Sequence, residues 1–168
     1  MGNEALIEAF RHNGWATRRL LGSCKGLSEE QLSSAPTGSF GGILATFNHL
    51  VLADGRYVMQ LAGSGPAWAV DRDDGADFNQ LEDRVDETQQ LWERFLSEPV
   101  DADRVIVVDD GAREVRAGIF VAQALHHGNA HREQICATMT GYGMEPPDVQ
   151  AWEYAWATGR IWDRTANH

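Results

Sequence analysis

The stretch AGIFVAQALHHGNAHREQICATMT, from Ala117 to Thr140, decides the fold. At about 100° per residue, Phe120, Ala124, His127, His131 and Ile135 fall in one line along a helix. Gln123, His126, Asn129 and Glu133 fall on other sides, mostly the polar one. The reading is a long amphipathic helix, closed by Gly141, whose core-facing stripe carries two histidines.

Three more segments of similar length carry the same period. Asn3 to Cys24 places Leu6, Phe10, Thr17, Leu20, Leu21 and Cys24 on one stripe, and Leu27 to Leu32 suits one further turn. Gly42 to Leu61 has the stripe Ile43, Phe47, Leu50, Asp54, Val58, Leu61, with Ala45, Leu52 and Ala53 on other sides. A helix that is apolar most of the way round is covered on more than one face, by a subunit contact or by a central place in a bundle. Asp77 to Ser97 aligns Phe78, Leu81, Val85, Thr88, Trp92 and Leu96, with Asp77 suited to the N-cap and Pro99 stopping the helix. Ser33–Gly42 and Gly63–Gly75 read as loops rich in breakers. Arg104–Val108, Asp109-Asp110-Gly111 and Glu114–Arg116 form a short hairpin signal. A shorter helix carrying Trp152, Tyr154 and Trp156 is expected after Pro146-Pro147, with proline in its first turn; Trp152 and Trp156 are expected in the core, with the lining of a pocket or a dimer surface as the alternative. The expectation is one all-α domain over residues 1–168. Its architecture is a four-helix bundle with a hairpin before the last long helix and a short C-terminal helix.

Composition narrows the function classes. Apolar residues make up 43% and charged residues 23%, which excludes a largely disordered chain. Acidic residues outnumber basic ones, 25 to 14, and the formal charge of −11 repels phosphate backbones, so no nucleic-acid partner is expected. No stretch approaches the ~20 apolar residues that span a bilayer, so no membrane partner is expected. Met1 to Phe10 lacks a basic-then-apolar signal pattern, and a cytoplasmic location is the default expectation. Cys24 and Cys136 then read as reduced thiols without an activating neighbour, rather than as a disulfide or a nucleophile.

The two striped histidines are the sharpest chemical signal. At i and i+4 they stand about 6 Å apart along the axis, and neutral imidazoles so placed can meet one zinc-like ion at ~2.0–2.1 Å. Two buried histidines satisfied by ordinary hydrogen bonds is the other reading, although each ring nitrogen then needs a partner. His49 is the candidate third ligand. It projects away from its helix's main stripe, toward Ala45, Leu52 and Ala53, so ligation requires that second face to point at the last long helix. His126 and His12 read as surface residues, and His168 as part of the terminus. Asp54 reads as half of a buried salt bridge with a base such as Arg132.

The residues resemble the DinB/YfiT family of small helical metalloproteins. Asn13-Gly-Trp15-Ala16 with Arg19-Leu20-Leu21 is similar to the family's first helix, and Gly26-Leu27-Ser28-Glu29-Glu30-Gln31-Leu32 to its following turn. Gly38-Ser39-Phe40 leads into the second long helix, where Asn48-His49-Leu50 and Ala53-Asp54 resemble the first ligand motif. His127-Gly-Asn-Ala-His131-Arg132-x-Gln134-Ile135 is similar to the second, with Glu133 in place of the usual glycine. The resemblance implies that His49, His127 and His131 are metal ligands in an up-down-down-up bundle, often a homodimer. It also implies kinship with transferases and isomerases that use low-molecular-weight thiols such as bacillithiol, mycothiol or glutathione. Imidazole suits zinc, nickel, iron and copper alike; a divalent ion is expected, zinc or nickel first, then iron or manganese. The functional expectation is a metal-dependent thiol S-transferase or isomerase acting on small electrophiles. A non-catalytic metal- or small-molecule-binding stress-response protein and a metal-dependent hydrolase are the alternatives.

Overall fold

The computed structural model describes residues 3–70 and 75–163. His168 and residues 71–74 of the expected second loop lie outside them. The elements are α1 (Glu4–Cys24), α2 (Glu29–Ser33), α3 (Ile43–Ala62), α4 (Phe78–Ser97), β1 (Val105–Val108), β2 (Arg113–Arg116), α5 (Ala117–Gly141) and α6 (Ala151–Ala157). The expected stripes are buried: Phe47, Leu50 and Val58 on α3, and Leu81, Val85, Thr88, Trp92 and Leu96 on α4. Capping boxes start two of the helices. Ser28 pairs with Gln31 at α2, and Asp77 with Gln80 at α4, each satisfying two otherwise orphaned N–H groups.

Side-chain contacts fix the helix directions. Asn3 at the start of α1 donates to Leu96 O near the end of α4, and Lys25 just past α1 reaches Glu82 near α4's start, so these helices are antiparallel. Phe47 meets Phe78, and Asp54 meets Trp92, so α3 and α4 are parallel. His49 meets His127 and Tyr57 meets Phe120, so α3 and α5 are antiparallel. Asn13 bonds Arg132 and Cys24 touches Met139, so α1 and α5 are parallel. The order is up, down, down, up.

Parallel neighbours need a long return. A 20-residue helix such as α3 rises about 30 Å, while the roughly 15 residues from 63 to 77 reach up to about 50 Å when extended. The described part of this strap runs back along α3. Gly65 lies against Met59, Trp68 lies against Gly55, and Arg56 Nε donates to Ala69 O. At the far end Asn48 clasps both backbone polar groups of Ala76. A central place in the bundle thus accounts for the apolar circumference of α3: α4, α5, α2 and the strap all touch it.

The core falls into two apolar clusters. Leu20, Leu21, Ile43, Phe47, Leu81 and Ile135 belong to one, and Phe10, Val58, Leu61, Trp92, Leu96 and Val121 to the other. Along the helices the buried polar residues Asn13, Thr88 and Arg132 fall between the two sets. The hairpin pairs Val105 with Arg116 and Val108 with Arg113. It positions the key helix directly: Ala117 and Gly118, the first residues of α5, donate to the carbonyls of Arg104 and Ala102, replacing a side-chain cap.

The C-terminal expectations change in three ways. Helix α6 begins at Ala151, so Pro146 and Pro147 lie in the segment before it rather than in its first turn. Trp152 and Trp156 are 71% and 49% exposed, not core residues, because only the Tyr154 face of this short helix turns toward α1. His12 is half-buried rather than on the surface, its Nε2 2.8 Å from Val149 O beneath the C-terminal segment. Among the described residues, no helix is long and apolar enough to cross a membrane.

Candidate metal centre

Helix α3 supplies His49, and α5 supplies His127 and His131. From the second face of α3, His49 does reach α5, while Ala45 is exposed and lines the adjoining cavity with Leu52. His49 Nε2 and His127 Nε2 stand 3.0 Å apart, and one ring nitrogen from each of the three histidines lies within 4.8 Å of the others. Nitrogens sharing a tetrahedral ion at ~2.0–2.1 Å stand about 3.3 Å apart, the scale of this cluster.

The protonation states suit a cation. Burial lowers the pKa of His49, with repulsion from His131 adding to it. Burial also pushes His127 down to about 4, with repulsion from both partners contributing. Both rings are therefore neutral at pH 7 and offer lone pairs. His131 is buried, and its Nδ1 lies 3.0 Å from Gln134 Oε1. An amide oxygen only accepts, so Nδ1 donates in this contact and the ring is oriented by it. Two facing imidazole nitrogens at 3.0 Å must share a proton or turn both lone pairs to a cation. The donor set therefore fits a divalent metal.

Aromatic rings wall the cluster. Phe40 stacks on His49 with ring centres 4.0 Å apart and meets His131 edge-on at 5.5 Å. Tyr57 meets His127 edge-on at 5.8 Å. The loop bearing Phe40 enters α3 through Gly42, where a Cβ would lie 2.5 Å from Leu32 O, so only glycine lets this loop seat against the end of α2. A mostly apolar cavity of about 840 Å³ adjoins the cluster, lined in part by His49, Phe40, Leu32, Leu44 and Leu52. That volume is in the range of small-molecule sites.

Residues outside the cluster divide cleanly. His126 is exposed, as expected. Cys24 is buried against Met139, and burial pushes its thiol up to about 11, so it is no nucleophile. The expected Asp54–Arg132 salt bridge is not a direct one. Asn13 stands between them, donating to Asp54 Oδ2 and accepting from Arg132 Nη1, while Trp92 Nε1 donates to Asp54 Oδ1. Gly128 makes room for this bridge: a Cβ there would lie 2.5 Å from Asn13 Oδ1. Sequence reasoning gave no role to Phe40, Tyr57 or Gln134. Gln134 carried a signal, three residues after His131 and hence one turn away on the same face. Phe40 carried none, since a loop has no period.

A helical bundle of this topology with three clustered histidines on its second and fourth long helices defines a class of protein. The model of the DinB family matches residues 1–165, nearly the whole chain, and the chain belongs to the DinB family. No curated protein matches it.

Proposed function

We propose that His49, His127 and His131 hold one divalent ion, and that the protein is a metal-dependent thiol S-transferase or isomerase acting on small electrophiles. The carrying observation is three imidazoles with converging nitrogens, two of them held neutral by burial, beside an apolar cavity walled by one of them. A three-histidine set leaves coordination positions open. When bound, the ion supplies positive charge that favours a thiolate over its thiol at neutral pH. Gln134 Oε1 accepts from His131 Nδ1, which orients the ring and leaves Nε2 to the ion. The cavity takes the apolar body of the electrophile, and Phe40, shared by cavity and cluster, sets how closely it approaches. The thiol proton leaves to solvent, the sulfur bonds to the electrophilic carbon, and either a leaving group departs or the adduct reverses after isomerisation.

The thiol and electrophile partners and the homodimer belong to this same reading; light scattering on the purified protein tests the dimer.

The test incubates metal-loaded protein with a chloronitrobenzene and a panel of low-molecular-weight thiols. Conjugation above the uncatalysed rate, lost in His131→Ala, is expected. Full metal occupancy with no conjugation by any thiol would instead favour a non-catalytic binding protein.

A further inference from the structure

Away from the histidines, between α1, α3 and α4, lies a void of about 10 Å³ walled by Gly14, Thr17, Leu50, Asp54, Val85 and Thr88. Thr88 is 2% exposed, and its hydroxyl has no hydrogen-bond partner. The neighbouring polar groups are paired. Thr17 Oγ1 donates to Asn13 O at 3.0 Å and accepts from Arg132 Nη1 at 3.1 Å. Asp54 accepts from Trp92 Nε1 at 2.9 Å and from Asn13 Nδ2 at 3.2 Å. A carboxylate offers about four acceptor positions, so Asp54 retains capacity for a further donor.

Burying a hydroxyl without a partner is unfavourable, and a polar void of ~10–15 Å³ admits one water that keeps two to four partners. We propose that this void is a binding site for a single structural water. It accepts the Thr88 hydroxyl proton and donates to the Asp54 carboxylate. A calcium- or magnesium-type cation would need about six oxygen ligands, which these walls do not supply. The bound water extends the buried polar layer. With it, Asn13 and Thr17 on α1, Asp54 on α3, Thr88 and Trp92 on α4, and Arg132 on α5 form one network through all four long helices. This inference does not depend on the metal reading.

Thr88→Val tests it by the sign of a shift. Valine matches threonine in shape and lacks only the hydroxyl. If a water bridges Thr88 to Asp54, the variant strands that water and its Tm falls, by about 2–4 °C for a chain of this size. If the void is dry, valine replaces an orphaned hydroxyl and the Tm stays or rises, which overturns the proposal. Thr88→Ser keeps the hydroxyl and is expected to keep the water. In a high-resolution crystal structure of the wild-type protein, one solvent peak within about 2.7–3.2 Å of both Thr88 Oγ1 and an Asp54 oxygen is expected. No peak there, or a Thr88 hydroxyl turned to a backbone carbonyl, would sink it.

Discussion

His131 and Arg132 are neighbours on α5, about 100° apart around the helix, and they enter two different polar regions at the same height. Arg132 turns to α1. It is 3% exposed, and its Nη1 donates to Asn13 Oδ1, Asn13 O and Thr17 Oγ1. Burial pushes it down to about 10, which leaves it charged at neutral pH. His131 turns to α3; its Nδ1 is paired with Gln134 one turn along α5, and its ring meets two more imidazoles. In the first region donors meet acceptors, apart from the Thr88 hydroxyl. In the second, lone pairs meet lone pairs. Burial alone does not separate architecture from chemistry; how far the buried polar groups satisfy one another does.

Substitution separates the two regions. Arg132→Ala strands Asn13 and removes the positive charge nearest Asp54, so a loss of about 3–5 kcal/mol in urea unfolding is expected. His131→Ala should leave the metal-free protein close to wild type in the same assay while abolishing metal uptake measured by elemental analysis. Equal destabilisation by both would erase the distinction. Gln134→Ala acts one step out. It frees the His131 tautomer, and metal affinity is expected to fall about 10–100-fold by competition titration, with little change in unfolding midpoint. Unchanged affinity would remove Gln134 from the centre.

The two regions also oppose each other in pH dependence. Asp54, ordinarily near 3.8, is pushed up to about 6, chiefly by burial. The folded protein holds this proton more tightly than the unfolded chain, so Asp54 opposes folding above pH 6, and that opposition fades as pH falls toward 4. His127 moves the other way, from 6.5 to about 4. There the unfolded chain takes the proton more readily, and stability is lost as pH falls through the same range. In metal-free protein, Asp54→Asn should therefore lose more stability than wild type on acidification from pH 6.5 to 4. His127→Gln should lose less. Two urea-midpoint profiles parallel to wild type would refute both assignments.

The legibility of the chain follows the reach of each signal. Helix phase is local, so the stripes from Phe10 to Ile135 are written in the spacing of apolar residues, and the cap at Asp77 in its residue type. The i,i+4 pair His127/His131 is legible for the same reason. Arg132 gave less away, because its partner Asn13 lies 119 positions earlier. Trp152 and Trp156 misled because an aromatic pair at helical spacing suits a buried face, while this seven-residue helix buries only Tyr154.

By itself, the sequence determined that four long amphipathic helices form, where each begins and ends, and that two imidazoles share one face of the last. Only the tertiary structure decided that His49 joins them. That depended on which side of α3 meets α5, in a bundle where α4 runs parallel to α3 and α5 antiparallel to it. Helix phase says which residues share a face, whereas topology says what that face meets, because the contact joins residues 78 positions apart with no local spacing to relate them.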